Sequence, residues 1–184
     1  MSNGSCLDQG RQCGGVRSVV PRVSYSTLAW FFVAAVAVHN AEEAIWLPGW
    51  SRTAGRWHQT VGSREFRFAL AVLTLLAAVA AVLASSQGKQ SPGSYLLCGY
   101  ALAMLLNVAV PHGLATLAMR RYAPGTATAV LINLPVTALL LRTALAEGYI
   151  DSGTFVWAGT LVTIAIVAFI PVLFRVGRAM NGEQ

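Results

Sequence analysis

The stretch LAWFFVAAVAVHNAEEAIWL, Leu28 to Leu47, decides the fold. It is apolar except around His39, Asn40, Glu42 and Glu43. A helix of roughly 20 such residues crosses the hydrocarbon core of a bilayer. On that helix His39, Glu42 and Glu43 fall within an arc of about 100°. Ala35, Val36 and Trp46 share that side. An ionisable group in a membrane span costs about 2.5–3.5 kcal/mol on insertion scales. Three on one face therefore need partners or a purpose. Glu43 lies about 6 Å from the Leu47 end and His39 about 12 Å, between interface and midplane. Ser26 or Thr27 is placed to cap the helix, and Pro48-Gly49 to end it.

The rest of the chain fits the same medium. Of its 184 residues, 55% are hydrophobic and 11% charged, and mean hydropathy is +0.59. A soluble domain carries about 25% charged residues. The apolar residues come in blocks, which gives an all-α polytopic membrane bundle of about five helices. The expected spans are 26–47, 64–84, 95–119, 126–145 and 154–174. The second has alanine pairs four apart, Ala77/Ala81 and Ala80/Ala84, and such small faces let helices approach closely in lipid. The third carries Asn107, Pro111 and His112, the fourth Asn133 and Pro135. Proline removes the bond to the carbonyl four residues back, here those of Asn107 and Leu131, and kinks each span. Pro124 is placed to open the fourth span, and Asp151 or Ser152 to cap the fifth. Thr154, Trp157, Thr160 and Thr163 make a mildly polar stripe on the fifth span.

The formal charge of +6 does not point to nucleic acid, because the arginines sit in the joints between apolar blocks. Arg52, Arg56, Arg64, Arg67, Arg120, Arg121, Arg175 and Arg178 fall at one set of span ends. Arg11, Arg17, Arg22, Lys89 and Arg142 fall at the other. The richer side is expected to be cytoplasmic, with the N-terminus out and the C-terminus in. Residues 1–24 lack the apolar segment of a signal peptide and read as a disordered tail. Residues 25–177 form the bundle and 178–184 a short tail. Trp50 and Trp57 suit the headgroup region, and His58 reads as an interfacial histidine. Cys6, Cys13 and Cys98 have no metal-finger spacing.

His39-Asn40-Ala41-Glu42-Glu43 resembles the signature of the HXXEE family, small bacterial integral membrane proteins with no established activity. His112-Gly113-Leu114 and the segment from Arg120 to Ala129 resemble that family's second half. The resemblance spans about Leu28 to Phe174. It implies membership and little about chemistry.

Three functions are open to the polar set. Two adjacent carboxylates in a low dielectric repel, so one proton shared among the three groups is the expected state. A group that gives and takes a proton suits acid–base catalysis on a lipophilic substrate, such as an isomerisation, cyclisation or hydration. Glu42 and Glu43 would be donor and acceptor, with His39 tuning them and Asn107 and His112 orienting the substrate or stabilising charge. Sterol isomerases of the emopamil-binding type are similar in architecture, an analogy of fold only. A second reading is a zinc or iron site on His39, Glu42, Glu43 and His112, although His-Glu-x-x-His is absent. A third is a proton-coupled carrier, against which no inverted repeat is visible. Prenyl-processing membrane proteases carry Glu-Glu-x-x-x-Arg, but here Leu47 stands where the arginine would. Asn133 reads as an interhelical hydrogen-bonding residue. Asn107 and His112 lie about 140° apart on an ideal helix and share a cavity only if Pro111 bends the span.

Overall fold

A computed structural model describes residues 23–55 and 60–180. The N-terminal tail, Trp57, His58 and the last four residues lie outside that range. Five helical segments among the described residues are long and apolar enough to cross a membrane: Tyr25–Ser51, Ser63–Gln87, Pro92–Met119, Thr126–Ala146 and Ser152–Met180. The protein is a polytopic membrane helix bundle.

The first helix, α1 (Tyr25–Ser51), starts on Ser24, whose side chain accepts from the Thr27 amide. It does not stop at Pro48 but runs a further turn. Pro48 has no N–H for the Ala44 carbonyl. Arg67, on α2 (Ser63–Gln87), fills the gap by donating its Nε–H to Ala44 O at 3.2 Å. A local stop signal is thus overridden from another helix. Leu28, Ala29, Phe32, Ala35 and Val36 on α1 are buried, whereas Trp46, near its end, is exposed.

Ala77, Ala80, Ala81 and Ala84 of α2 are all fully buried. They form the seam that packs on α1 and on α3 (Pro92–Asn107). Asn40 ties α1 to the same helix, donating to Leu70 O at 3.3 Å and Thr74 Oγ1 at 2.8 Å. Ser91 caps α3 by accepting from the Ser94 amide. Gln90 reaches across the same end of the bundle to the backbone oxygens of Tyr149 and Gly148.

After Asn107 the helix is interrupted over the stretch Val108–Gly113, before α4 (Leu114–Met119). Within it Val110 is extended, with φ −135° and ψ 119°. Val110 precedes Pro111, and the residue before a proline is driven out of the helical region into extended backbone. The third span is therefore broken, not merely bent. The fourth span repeats the device more gently. A short helix, α5 (Thr126–Thr128), runs through a π-helical stretch, Ala129–Asn133, into α6 (Leu134–Ala146). It is Gly125 that precedes α5, so Pro124 stands two residues before the first helical position it was expected to occupy.

The last helix, α7 (Ser152–Met180), packs on α2 and α3. Asp151 Oδ2 accepts from the Thr154 amide at 2.8 Å, and hydrogen bonds from Thr154 hold this exposed carboxyl below its usual range. Thr163 is the buried member of the expected polar stripe, while Trp157 faces outward. Leu75, Val82, Val156, Leu161 and Ile164 are also largely exposed. In water such an apolar belt would drive aggregation, and in a bilayer it is the lipid-facing surface.

Candidate functional site

His39 and Glu43 lie one turn apart on α1 and face the broken segment of the third span. His39 is 1% exposed. Its Nε2 is 3.8 Å from Glu43 Oε1. His112 Nε2 approaches the same oxygen at 3.1 Å. The two imidazoles meet edge to face, with centroids 5.0 Å apart. Asn107 completes this side, its Nδ2 lying 3.2 Å from His39 Nε2. Asn107 and His112 reach one point because the extended Val110 between them resets the helical phase.

Glu42 turns the other way. Successive residues on a helix project about 100° apart, and Glu42 meets the joint before α5. It accepts hydrogen bonds from the Tyr122 hydroxyl, from Gly125 N at 3.0 Å, from Thr128 N at 3.4 Å and from Thr128 Oγ1 at 2.6 Å. These amides belong to the start of the fourth span, where helical N–H groups have no intrahelical acceptor. Glu42 therefore caps a helix in another part of the chain, a favourable place for a carboxylate beside the helix dipole. Desolvation and the bond to Glu42 push the Tyr122 hydroxyl above the usual phenol range, which keeps it a donor.

Thr128 joins the two halves. Its Oγ1 is 2.6 Å from Glu42 Oε2 and 3.0 Å from His39 Nδ1. A hydroxyl has one proton to give, and the carboxylate at the shorter distance takes it. Thr128 Oγ1 then accepts from His39 Nδ1–H. This hydrogen-bond network assigns the tautomer of neutral His39: Nδ1 carries the proton, and the Nε2 lone pair accepts from Asn107 Nδ2 at 3.2 Å, with Glu43 Oε1 3.8 Å away. The relay Glu42–Thr128–His39 orients the imidazole as outer partners orient a ligating histidine. Thr128→Val removes the oxygen. It is expected to weaken any ligand held at His39 Nε2 about 10–100-fold, read as a shifted midpoint in a metal-competition titration.

Gly125 makes the packing possible. Its φ is +91°, and a Cβ there would lie 2.5 Å from His112 Cε1 and 3.1 Å from Glu43 Cγ. Only glycine accepts this backbone at low cost and leaves room for the ring.

The donor atoms of His39, Glu43 and His112 all lie within 4.8 Å of one another. Ligands about 2.0–2.1 Å from a tetrahedral ion stand about 3.3 Å apart; the two histidine-to-Glu43 separations, 3.1 and 3.8 Å, bracket that value, and the two imidazoles offer nitrogens within 4.8 Å of each other. His112 Nε2 is buried, close to Glu43 but out of line for a hydrogen bond, and has no such partner among the described residues. A buried nitrogen without a partner is costly. Two imidazoles and a carboxylate are a donor set for zinc or ferrous iron. The residues present therefore fit such an ion, and Glu42 is not in the set.

A cavity of about 510 Å³ opens beside His39, Glu43 and Asn107, between α1, α2, α3 and α7. Apart from Asn40 and Tyr100 its other walls are apolar, among them Leu47, Phe66, Leu70, Leu73, Met104 and Ile170. Asn133 sits apart from this site, at 0% exposure, and neither of its amide atoms nor Thr137 Oγ1 has a hydrogen-bond partner among the described residues. It does not form the interhelical bond expected of it. Neither Thr128 nor Gly125 stands out in the sequence as a site residue. The one signal was their place in the segment Arg120 to Ala129.

Two comparisons with known proteins bear on these residues. A family model described as "Protein of unknown function with HXXEE motif" matches residues 30–140, which include all five site residues. The uncharacterized protein YrkK of Bacillus subtilis (strain 168) is 36% identical over 147 residues, covering 80% of this chain and 93% of that protein. No solved structure matches the chain.

Proposed function

The chain belongs to the HXXEE family, and from the geometry of its buried cluster we propose that it holds one zinc or ferrous ion inside the membrane, facing a cavity for a lipophilic substrate. The convergence of one ligand atom each from His39, Glu43 and His112 within 4.8 Å carries this reading. Two histidines and one carboxylate leave coordination positions free, as catalytic sites do and structural sites do not. The ion would supply Lewis acidity at the wall of the cavity. The chain's own residues do the rest. Thr128 and Glu42 hold the His39 ring. Asn107, beside His39 Nε2, offers an amide to a polar atom of the substrate. The apolar walls exclude water and strengthen every polar contact within.

This reading gives Glu42 a positioning role in place of the donor–acceptor pair expected of two adjacent glutamates. Acid–base chemistry without an ion is the second reading. It is favoured by His39 and Glu43 both lining the cavity, and would rest on those two alone.

The test is metal analysis of the purified full-length chain after removal of any polyhistidine tag. Stripped protein titrated with zinc or ferrous ion is expected to bind about one ion per chain, with imidazole scattering in its X-ray absorption spectrum. Glu43→Gln is expected to lose that site. Equal binding by wild type and Glu43→Gln would overturn the proposal and leave the metal-free reading.

A further inference from the structure

The 510 Å³ cavity does not end at its apolar walls. Toward the end of the bundle where α1 finishes and α2 begins, it adjoins a second cavity of about 360 Å³. The two share Val61 and Phe174 as walls. Phe174 stacks on Phe66, with centroids 6.0 Å apart, on the inner side of that junction. The outer cavity has a different chemistry. Arg175, Arg178, Glu65 and Thr60 line it. Glu65 and Arg178 pair only at 4.0 Å, and no ion pair involves Arg175 among the described residues. Two cations and one anion leave the mouth positive.

From mouth to interior the polarity thus runs from cationic, through an aromatic neck, to a long apolar chamber, and then to one polar wall. On α1 the chamber spans His39 to Leu47, and on α2 Phe66 to Leu73, a depth of about 10–12 Å at 1.5 Å per residue. A wholly apolar ligand would leave Arg175 unmatched, and a small anion would leave the chamber unfilled. We propose that the protein binds a single-chain anionic amphiphile. Its head lies on Arg175 and Arg178, and its chain passes Phe174 into the chamber to meet His39 and Glu43. This names the substrate class of the centre described above and rests on that reading for its chemistry. The binding itself requires no ion.

The experiment uses full-length protein, stripped of metal, in nanodiscs of zwitterionic lipid. Decyl phosphate, decanol and inorganic phosphate are the probes, and native mass spectrometry gives their occupancy. Decyl phosphate is expected to bind at least tenfold more tightly than decanol, with inorganic phosphate failing to displace it. Arg175→Gln and Arg178→Gln are each expected to reduce that preference several-fold without changing decanol binding. Arg142→Gln, which removes a cation at the opposite end of the bundle, is expected to change nothing. Ala103→Phe, which fills the chamber, is expected to block both decyl probes, and Leu75→Phe, on the exposed lipid-facing surface, to spare them. A decyl phosphate with a diazirine at its chain end is expected to label chamber residues near Tyr100 or Leu73. Equal affinity for decyl phosphate and decanol, or a phosphate preference indifferent to both arginines, would overturn the proposal. So would displacement by inorganic phosphate, which would mark an ion site without a chain site. Because the protein is metal-free throughout, failure of the ion to bind and failure of the amphiphile to bind are separate results.

Discussion

Replacing His112 with alanine is expected to abolish retention of one zinc ion per chain while leaving the bundle assembled. His112 sits in the segment between the break at Val110 and α4, and its ring reaches Glu43 and His39 rather than the main core. The main core is built elsewhere, from Phe32, Leu97, Tyr100, Leu140 and the α2 alanines. Loss of the ring thus removes a ligand and exposes little of what holds the helices together. A chelator-competition titration would read the loss as at least a hundredfold weaker affinity, about 2.7 kcal/mol. Size-exclusion elution and helical circular dichroism should stay those of the wild type. Unchanged zinc affinity in a folded His112→Ala protein would remove His112 from the donor set and leave only two ligands, too few for a structural or catalytic site.

Gly125→Ala is expected to damage the site by the addition of a single methyl group. The added carbon would lie 2.5 Å from His112 Cε1, on a backbone at φ +91°. A non-glycine residue forced into such a region costs on the order of 1–3 kcal/mol, before the ring is displaced. The strain falls where Glu42 receives the Gly125 amide, so the joint before α5 shifts as well. A fall of several degrees in the apparent melting temperature is expected, together with weakened metal binding. The control is Gly49→Ala. Gly49 lies inside α1, where an added methyl would meet nothing within 4 Å and φ is not positive. Alanine there favours helix by about 1 kcal/mol and should leave both readouts unchanged or slightly improved. Equal effects of the two substitutions would show that the Gly125 backbone is not fitted to the site.

Several tertiary features reverse what local rules imply. Pro48 carries a stop signal that Arg67 cancels from α2. Pro111 and Pro135 each remove an N–H as read, but Pro111 drives Val110 out of the helical region and breaks its span, whereas Leu134 before Pro135 stays helical. Their consequence was not readable: the break at Val110 is what turns Asn107 and His112 toward one point. Asn133 reads as a bridging residue, yet its amide is enclosed without a hydrogen-bond partner among the described residues. Its fate depends on what faces it across the bundle, which no spacing within one helix encodes.

Sequence by itself determined the membrane class, the five spans and the buried alanine seam of α2, since chain length, hydropathy and residue size act within one helix. It also determined that His39 and Glu43 share a face, because that follows from helical pitch. Only the tertiary structure decided that Glu42 and Glu43 serve different neighbours. Adjacent side chains diverge by about 100°, and which partner waits on each side is set by how the fourth span and the broken third span pack against α1.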